Sequence, residues 1–401
     1  MTRIDLAGLT AGPAQVWGGI RLVPLLRETP VEGLRLSREL YGDGEGDPYE
    51  EGYGDGDGYG YVDLGGRSGY VSYIPHGFVA EWAPGEGQSA AYGTQLGGGG
   101  ATAPVRVPVR RHHRLAKRRK GAAGIDRLRF LPLHLALEGY LALHFGGPSV
   151  AWDEWSQQAV RRGMSPREED AYAGWQVRGL ADALRVFEIH PRQCGVMVYA
   201  ADALAAAFVV PHPDDYRALH PSLVQDLYGE LVHQYALYSA PVPEFRARID
   251  DAAGGIRTLA DLRLAAHAQE RAWTAAHDTL MARDLLETPY AFERVRKLGP
   301  FALYRFLPPF QRGRAEQHIG ELITDGKGRV AYLKTFRLSE KQIRRGHLLR
   351  RLAGCDWHLG RTAEALGTTY EELVVRITRA GFGFLLNEHV VAQRMRETGE
   401  T

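Results

Sequence analysis

The stretch from Gln342 to Phe382, QIRRGHLLRRLAGCDWHLGRTAEALGTTYEELVVRITRAGF, constrains the fold of this chain more than any other. Leu348, Leu352, Ala363, Leu366, Leu373 and Ile377 recur at helical spacing, so it reads as three consecutive short helices. Gly367 falls where the second helix must stop and the chain turn tightly, which is the mark of a helix-turn-helix. Ser339 followed by Gln342 is a helix-start signature that leads into the stretch. Just upstream, HIGELITDGKGRVAYLKTFRL reads as a hairpin. Its strands lie at about 318–324 and 329–337, joined by Asp325-Gly326-Lys327-Gly328.

The fold class expected is α+β: a mixed N-terminal and central body of short strands and several helices, then the three-helix unit. Residues 1–125 form a β-rich region. QVWGGIRLVPLL gives a strand at Ile20, Leu22 and Val23 that Pro24 should stop. After Pro30, VEGLRLSRELY fits a short helix or a second strand. The acidic, glycine-rich tract 42–60 has too little apolar surface to offset its ordering entropy, so disorder is expected there. Asp55, Asp57 and Asp63 sit at calcium-loop spacing, but Gly66 stands where the bidentate glutamate belongs, and no metal is assigned. GYVSYIPHGFVAEW suggests two strands hinged at Pro75-His76-Gly77, and Val105–Val109 another. A basic run, RRHHRLAKRRKGAAG over 110–124, reads as a solvated linker that could hold phosphates or neutralise the acidic tract.

Residues 126–317 form a helical and α/β body. Residues 126–186 read as helices, with His134 and Glu138 on one face as a hydrogen-bonded contact and Ser165-Pro166-Arg167-Glu168 as a capping box. FEIHP and CGVMVYAADALAAAFVV give two strands turning near Ala200–Asp202, followed by a long helix broken at Pro221. Asp214 and Asp215 stand where N-capping explains them. Residues 256–287 read as an alanine-rich helix or helix pair, and Tyr290 to Pro309, rich in aromatics and prolines, as a packed connector. The last region, 318–401, holds the hairpin and the three helices.

A net charge of +1 gives no global attraction to nucleic acid or membrane, so such binding must come from local patches. The two cysteines, Cys194 and Cys355, make no CxxC motif and no disulfide framework. The N-terminus lacks the apolar run of a signal peptide, and Val196–Val210 is too short to span a bilayer. A cytoplasmic protein without a membrane partner is expected. The chain carries no GxGxxG after a strand, no Walker motif and no GxSxG, and no cofactor is assigned. The residues an acid–base site would draw on are Glu188, His190, His212 and Asp215, in a region that also holds His220 and His233.

The C-terminal stretch resembles the Fis-type helix-turn-helix found at the end of many bacterial enhancer-binding activators. The resemblance is carried by Arg361-Thr362-Ala363-Glu364-Ala365-Leu366-Gly367, Leu373, Ile377 and Ala380-Gly381-Phe382, without a gap from Leu352 to Phe382. It implies a recognition helix from about Thr369 to Arg379, entering a major groove as half of a dimer. The DNA-facing residues would be Arg344, Arg345, Arg350, Arg351, Arg361, Thr369, Tyr370, Arg376 and Arg379. The chain departs from the family in placing Glu371 and Glu372 early in that helix, where arginine or lysine is usual. The body resembles a family of bacterial proteins associated with ADP-ribosylglycohydrolases and rhodanese-like phosphatases, through QVWGGIRLVPLL and the stretch from Cys194 to Ala236. That resemblance implies a mixed α+β domain in ADP-ribose or NAD-linked regulation or defence, and supplies no site residue.

The expected function is that of a bacterial regulatory protein with a ligand-sensing or interaction body and a DNA-binding C-terminus, for which the helix-turn-helix resemblance implies a homodimer. Two alternatives stand beside it. One is an ADP-ribose- or NAD-linked small-molecule binding protein or enzyme. The other is a protein-interaction module with a degenerate helix-turn-helix.

Overall fold

A computed structural model describes residues 2–36, 61–63, 69–71, 80–81, 189–200, 203–222, 249, 254–314 and 316–398. The acidic tract, the basic run, the helices of 126–186, Glu188 and His233 lie outside these residues. The fold is α+β. Among the described residues nine strands form one antiparallel sheet, drawn from the N-terminal, central and C-terminal regions alike. They are β1 (Leu9–Ala11), β2 (Gln15–Trp17), β3 (Ile20–Arg27), β8 (Gln193–Ala200), β9 (Ala203–Val209), β10 (Ala291–Leu298), β11 (Phe301–Leu307), β12 (His318–Thr324) and β13 (Val330–Arg337). The order is β1-β3-β8-β9-β13-β12-β11-β10, with β2 also on β3. Two short pairs stand apart from it: β4 (Arg35–Leu36) with β7 (Ala80–Glu81), and β5 (Tyr61–Asp63) with β6 (Gly69–Val71).

Strands β8, β12 and β13 are buried almost without interruption rather than on alternate residues. An antiparallel sheet with one wet face would show alternation, so these strands are covered on both sides. On one side Val23, Leu25, Met197, Tyr199, Leu322 and Leu333 share a core cluster with Trp273, Ala282 and Leu285. Those last three come from helix α2 (Leu259–Ala276), the residue after a π segment (His277–Met281), and α3 (Arg283–Glu287). Thr258 starts α2 through a capping box with Asp261. Helix α1 (Pro213–Ser222) packs on β8.

Pro24 does not stop β3. It sits inside the strand opposite Val196, and its carbonyl accepts the Gly12 N–H at 2.8 Å. Its nitrogen, which has no hydrogen to give, therefore faces the break between β1 and β2, where no ladder bond is lost. The connector expected over 290–309 is instead the hairpin β10–β11, turning at Gly299–Pro300 with Gly299 at φ +57°. Its aromatics face the core: Tyr290 and Phe306 meet edge to face at 4.8 Å. Helix α1 ends at Ser222, one residue past Pro221, and the rest of the long helix expected there lies outside the described residues.

The 318–337 hairpin forms as expected. Asp325 shapes its turn by accepting the N–H groups of Lys327 and Arg329, both at 2.9 Å. Leu338 then leads into α4 (Glu340–Gly354), α5 (Leu359–Ala365) and α6 (Tyr370–Arg379). A 3-10 turn (Gly383–Leu386) and a further helix, α7 (Glu388–Thr398), follow. Ser339 and Gln342 form a reciprocal capping box at the start of α4. Gly346 lets α4 close on the Phe310 ring, which occupies the space a side chain there would need.

Candidate functional site

The C-terminal helices are held by Leu348, Leu352, Ala363, Leu373, Ile377 and Phe382, all buried. Gly367 takes φ +60° between α5 and α6, a conformation that costs glycine nothing. Thr369 then caps α6 by accepting the Glu372 N–H at 3.2 Å. Arg344, Arg350, Arg351, Arg361, Thr369, Tyr370, Arg376 and Arg379 all reach the surface. Arg345 is only half-exposed: its guanidinium lies 5.9 Å from the centre of the Phe382 ring, beside Gly381, and burial lowers its pKa. Its role is to pack the module. On α6 the Arg376 guanidinium is 3.9 Å from Glu372, and Arg344 pairs with Glu340 on α4. The Arg350 guanidinium donates to the Pro309 carbonyl at 3.2 Å.

Charge on this side of the molecule is crowded. The His347 imidazole is pushed below its ordinary range by burial and by the fields of Arg312, Arg351 and Arg350. Below α4 lies a cleft of about 440 Å³ lined by Arg312, Arg314, Arg337 and Arg344, with Ser339, Glu340 and an apolar floor of Leu338 and Ile343. Arg312 and Arg314 on one loop and Arg337 at the end of β13 carried no signal in the sequence, because no local pattern joins the loop to the strand.

Among the described residues, those that acid–base chemistry would draw on each hold a partner of their own. His190 Nδ1 accepts the N–H of Arg192 within its own turn. His212 caps α1, its Nδ1 accepting the Asp214 N–H at 3.1 Å, so the N-cap is the histidine and the two aspartates belong to the helix's first turn. Asp215 is buried and takes a bidentate grip from Arg35, whose Nε and a terminal nitrogen donate at 3.1 and 2.8 Å. That ion pair raises the Arg35 pKa and docks the β4 segment onto α1. His220 meets the Tyr216 hydroxyl at 2.9 Å. Among the described residues no group of three His, Cys, Asp or Glu side chains could hold a metal ion. Burial pushes the Cys194 thiol up to about 11, against the pull of Arg27, which makes it a poor nucleophile.

A second polar cluster lies in the core and also escaped sequence reading. The Tyr199 hydroxyl and His277 Nε2 share a hydrogen bond of 2.5 Å, and His277 Nδ1 lies 3.1 Å from Asp278. Trp273 stacks on the imidazole, with ring centroids 5.2 Å apart. The cluster resembles a proton relay, and π segments often mark functional sites. Both rings are nevertheless fully buried, and burial raises the tyrosine pKa steeply, so the hydroxyl stays neutral. The hydrogen bond ties the π segment to β8, a structural use of the same groups.

The family model for ARPP-2 matches residues 4–299, well over half of the chain. The chain belongs to the ARPP-2 family. No curated protein and no solved structure matches it. In this ARPP-2 member the strands β11 to β13, the arginine cleft and the helices after it lie beyond the matched residues.

Proposed function

We propose that the chain is a regulatory protein whose C-terminal helices grip nucleic acid by its phosphates, with the α+β body as a ligand-responsive scaffold. The observation that supports this best is the exposed arginine set on α4 to α6, arranged around the Gly367 turn. Phosphate contacts position a protein on a duplex without reading sequence. The acidic first turn of α6, with Glu371 and Glu372, opposes close base readout by that helix, so binding through α4, α5 and the end of α6 should be weakly sequence-selective.

The test is fluorescence anisotropy of a labelled mixed-sequence duplex against the full chain over a salt series. Replacing both Arg376 and Arg379 by Gln should weaken binding on every sequence and flatten the log K against log salt slope by about 0.9 per lost contact. Absence of binding at low salt would falsify the proposal, and binding undiminished in the double variant would move the interface off α6.

A second reading has its own support. Tyr370 and Val375 are 51% and 44% exposed on α6, beside the two glutamates. Such a face suits a basic protein partner. Capture from nuclease-treated lysate that Tyr370→Ala abolishes, with no duplex binding, would favour this reading.

A further inference from the structure

The cleft below α4 is assembled from three separate pieces of chain: the 311–314 loop, the end of β13 and the first turns of α4. Its volume of about 440 Å³ falls within the ~300–1,000 Å³ of small-molecule sites. Four guanidinium groups and one carboxylate line it, in a chain whose net charge is only +1.

Two of those guanidinium groups are already matched. Arg314 donates to Asp284 at 2.9 Å, which fixes its position, and Arg344 is paired with Glu340, the lining carboxylate. Arg312 and Arg337 have no carboxylate at ion-pair distance among the described residues. Glu316 acts on Arg337 only at longer range, and its carboxyl is itself pushed up by burial and by Asp284. Like charges held together without a resident counter-ion repel, and a bound anion relieves the repulsion.

The loop that carries Arg312 and Arg314 is held in shape in advance. Gln317 is fully buried, and its side-chain amide makes three hydrogen bonds to that loop. Its Oε1 accepts the Gln311 N–H at 2.9 Å, while Nε2 donates to the carbonyls of Gln311 and Arg314 at 2.8 and 3.0 Å. Gly313 turns the loop at φ +85°. The Leu338 N–H in turn donates to the Gln317 carbonyl at 2.8 Å, which ties the loop to the chain entering α4. A surface loop that merely solvated its arginines would need no buried clamp. A loop that presents guanidinium groups to a planar or tetrahedral oxyanion gains from one.

We propose that this cleft binds a small phosphate-bearing anion, with Arg312 and Arg337 as the principal contacts and Arg314 as a pre-positioned third. Guanidinium forks match phosphate oxygens bidentately, which a lysine at the same place would not. The concave shape favours a small molecule over a duplex, which presents its phosphates on a convex surface. The cleft shares only Arg344 with the exposed arginine set on α4 to α6, and Arg312, Arg314 and Arg337 lie outside that set, so failure of duplex binding and failure of this proposal read out separately.

The experiment is isothermal titration of the full chain with inorganic pyrophosphate at constant ionic strength, with chloride and sulfate as controls. One saturable site is expected, with sulfate weaker and chloride silent. Arg312→Gln and Arg337→Gln should each weaken pyrophosphate about tenfold, the size expected for a lost charge-assisted hydrogen bond. Arg376→Gln should leave it unchanged. Arg337→Lys should fail to restore wild-type affinity, and melting temperatures close to wild type will show that the variants fold. The proposal is overturned if pyrophosphate gives no saturable heat, if neither Arg312→Gln nor Arg337→Gln alters its affinity, or if duplex DNA displaces it from the cleft.

Discussion

On strand β13, Lys334 is only 3% exposed and sits opposite Glu321, with nitrogen and oxygen 3.7 Å apart. Three positions on, Arg337 reaches into the cleft without a carboxylate at ion-pair distance among the described residues. One strand thus handles positive charge in two opposite ways. In the sheet the charge is closed off inside the protein, where it distinguishes the correct register from a one-residue slip that would strand it. At the junction with the helices it is left available to something else. The sheet is where substitutions should cost stability, and the junction and helices are where they should cost binding.

The largest effect should come from splitting the buried pair. Lys334→Met alone removes the cation facing the buried Glu321, and should cost about 3–5 kcal/mol in denaturant unfolding. Adding Glu321→Leu should recover most of that loss; equal destabilisation by the double variant would show that the pair does not act as a unit. Next comes Gly320→Ala, whose new methyl would meet the Lys334 backbone carbonyl directly. Backbone cannot step aside as a flexible side chain can, so about 3 kcal/mol is expected. A near-neutral result would mean that the strand pairing is looser than described.

Third is a pH effect from His318, fully buried on β12, where burial holds the imidazole down to about 3. Neither ring nitrogen meets a partner among the described residues. As pH falls below the ordinary histidine range the unfolded chain takes a proton that the folded one refuses. Stability should therefore fall by about 1.4 kcal/mol per pH unit between roughly pH 6 and 3. Unfolding of His318→Leu at several pH values should lose that component of the slope; an unchanged slope would assign the acid sensitivity to other groups.

How much of this the sequence disclosed follows from how local each signal is. The 318–337 hairpin and the Ser339 start were legible because Asp325-Gly326 and the Ser–Gln spacing act within a few residues. The β10–β11 hairpin was missed although Gly299-Pro300 is an ordinary turn pair, because its aromatics looked like packing without a register. Pro24 misled because its consequence depends on a gap in a neighbouring strand. Arg35 with Asp215, and Tyr199 with His277, join residues far apart in the chain, and no local pattern encodes such pairs. The cleft is likewise drawn from three pieces, the 311–314 loop, the end of β13 and the start of α4, with no local pattern linking them. The candidate catalytic histidines, by contrast, were conspicuous in sequence and are used for capping and turns.

The two smallest effects lie on the helical side. Ser339→Ala removes the N-cap of α4 and should cost about 1 kcal/mol, seen as a lower melting temperature. Arg376→Gln and Arg312→Gln should change stability by no more than about 0.5 kcal/mol while changing binding, each to its own ligand. A large stability loss from either would place it with Arg345 among the groups that pack the module.

The most direct measurement is hydrogen exchange of the full chain, read by mass spectrometry with and without a mixed-sequence duplex at low salt. Slowed exchange is expected in α4 to α6, with the strands of the sheet unchanged. Protection confined to the sheet, or no protection anywhere at a duplex concentration that saturates anisotropy, would contradict it.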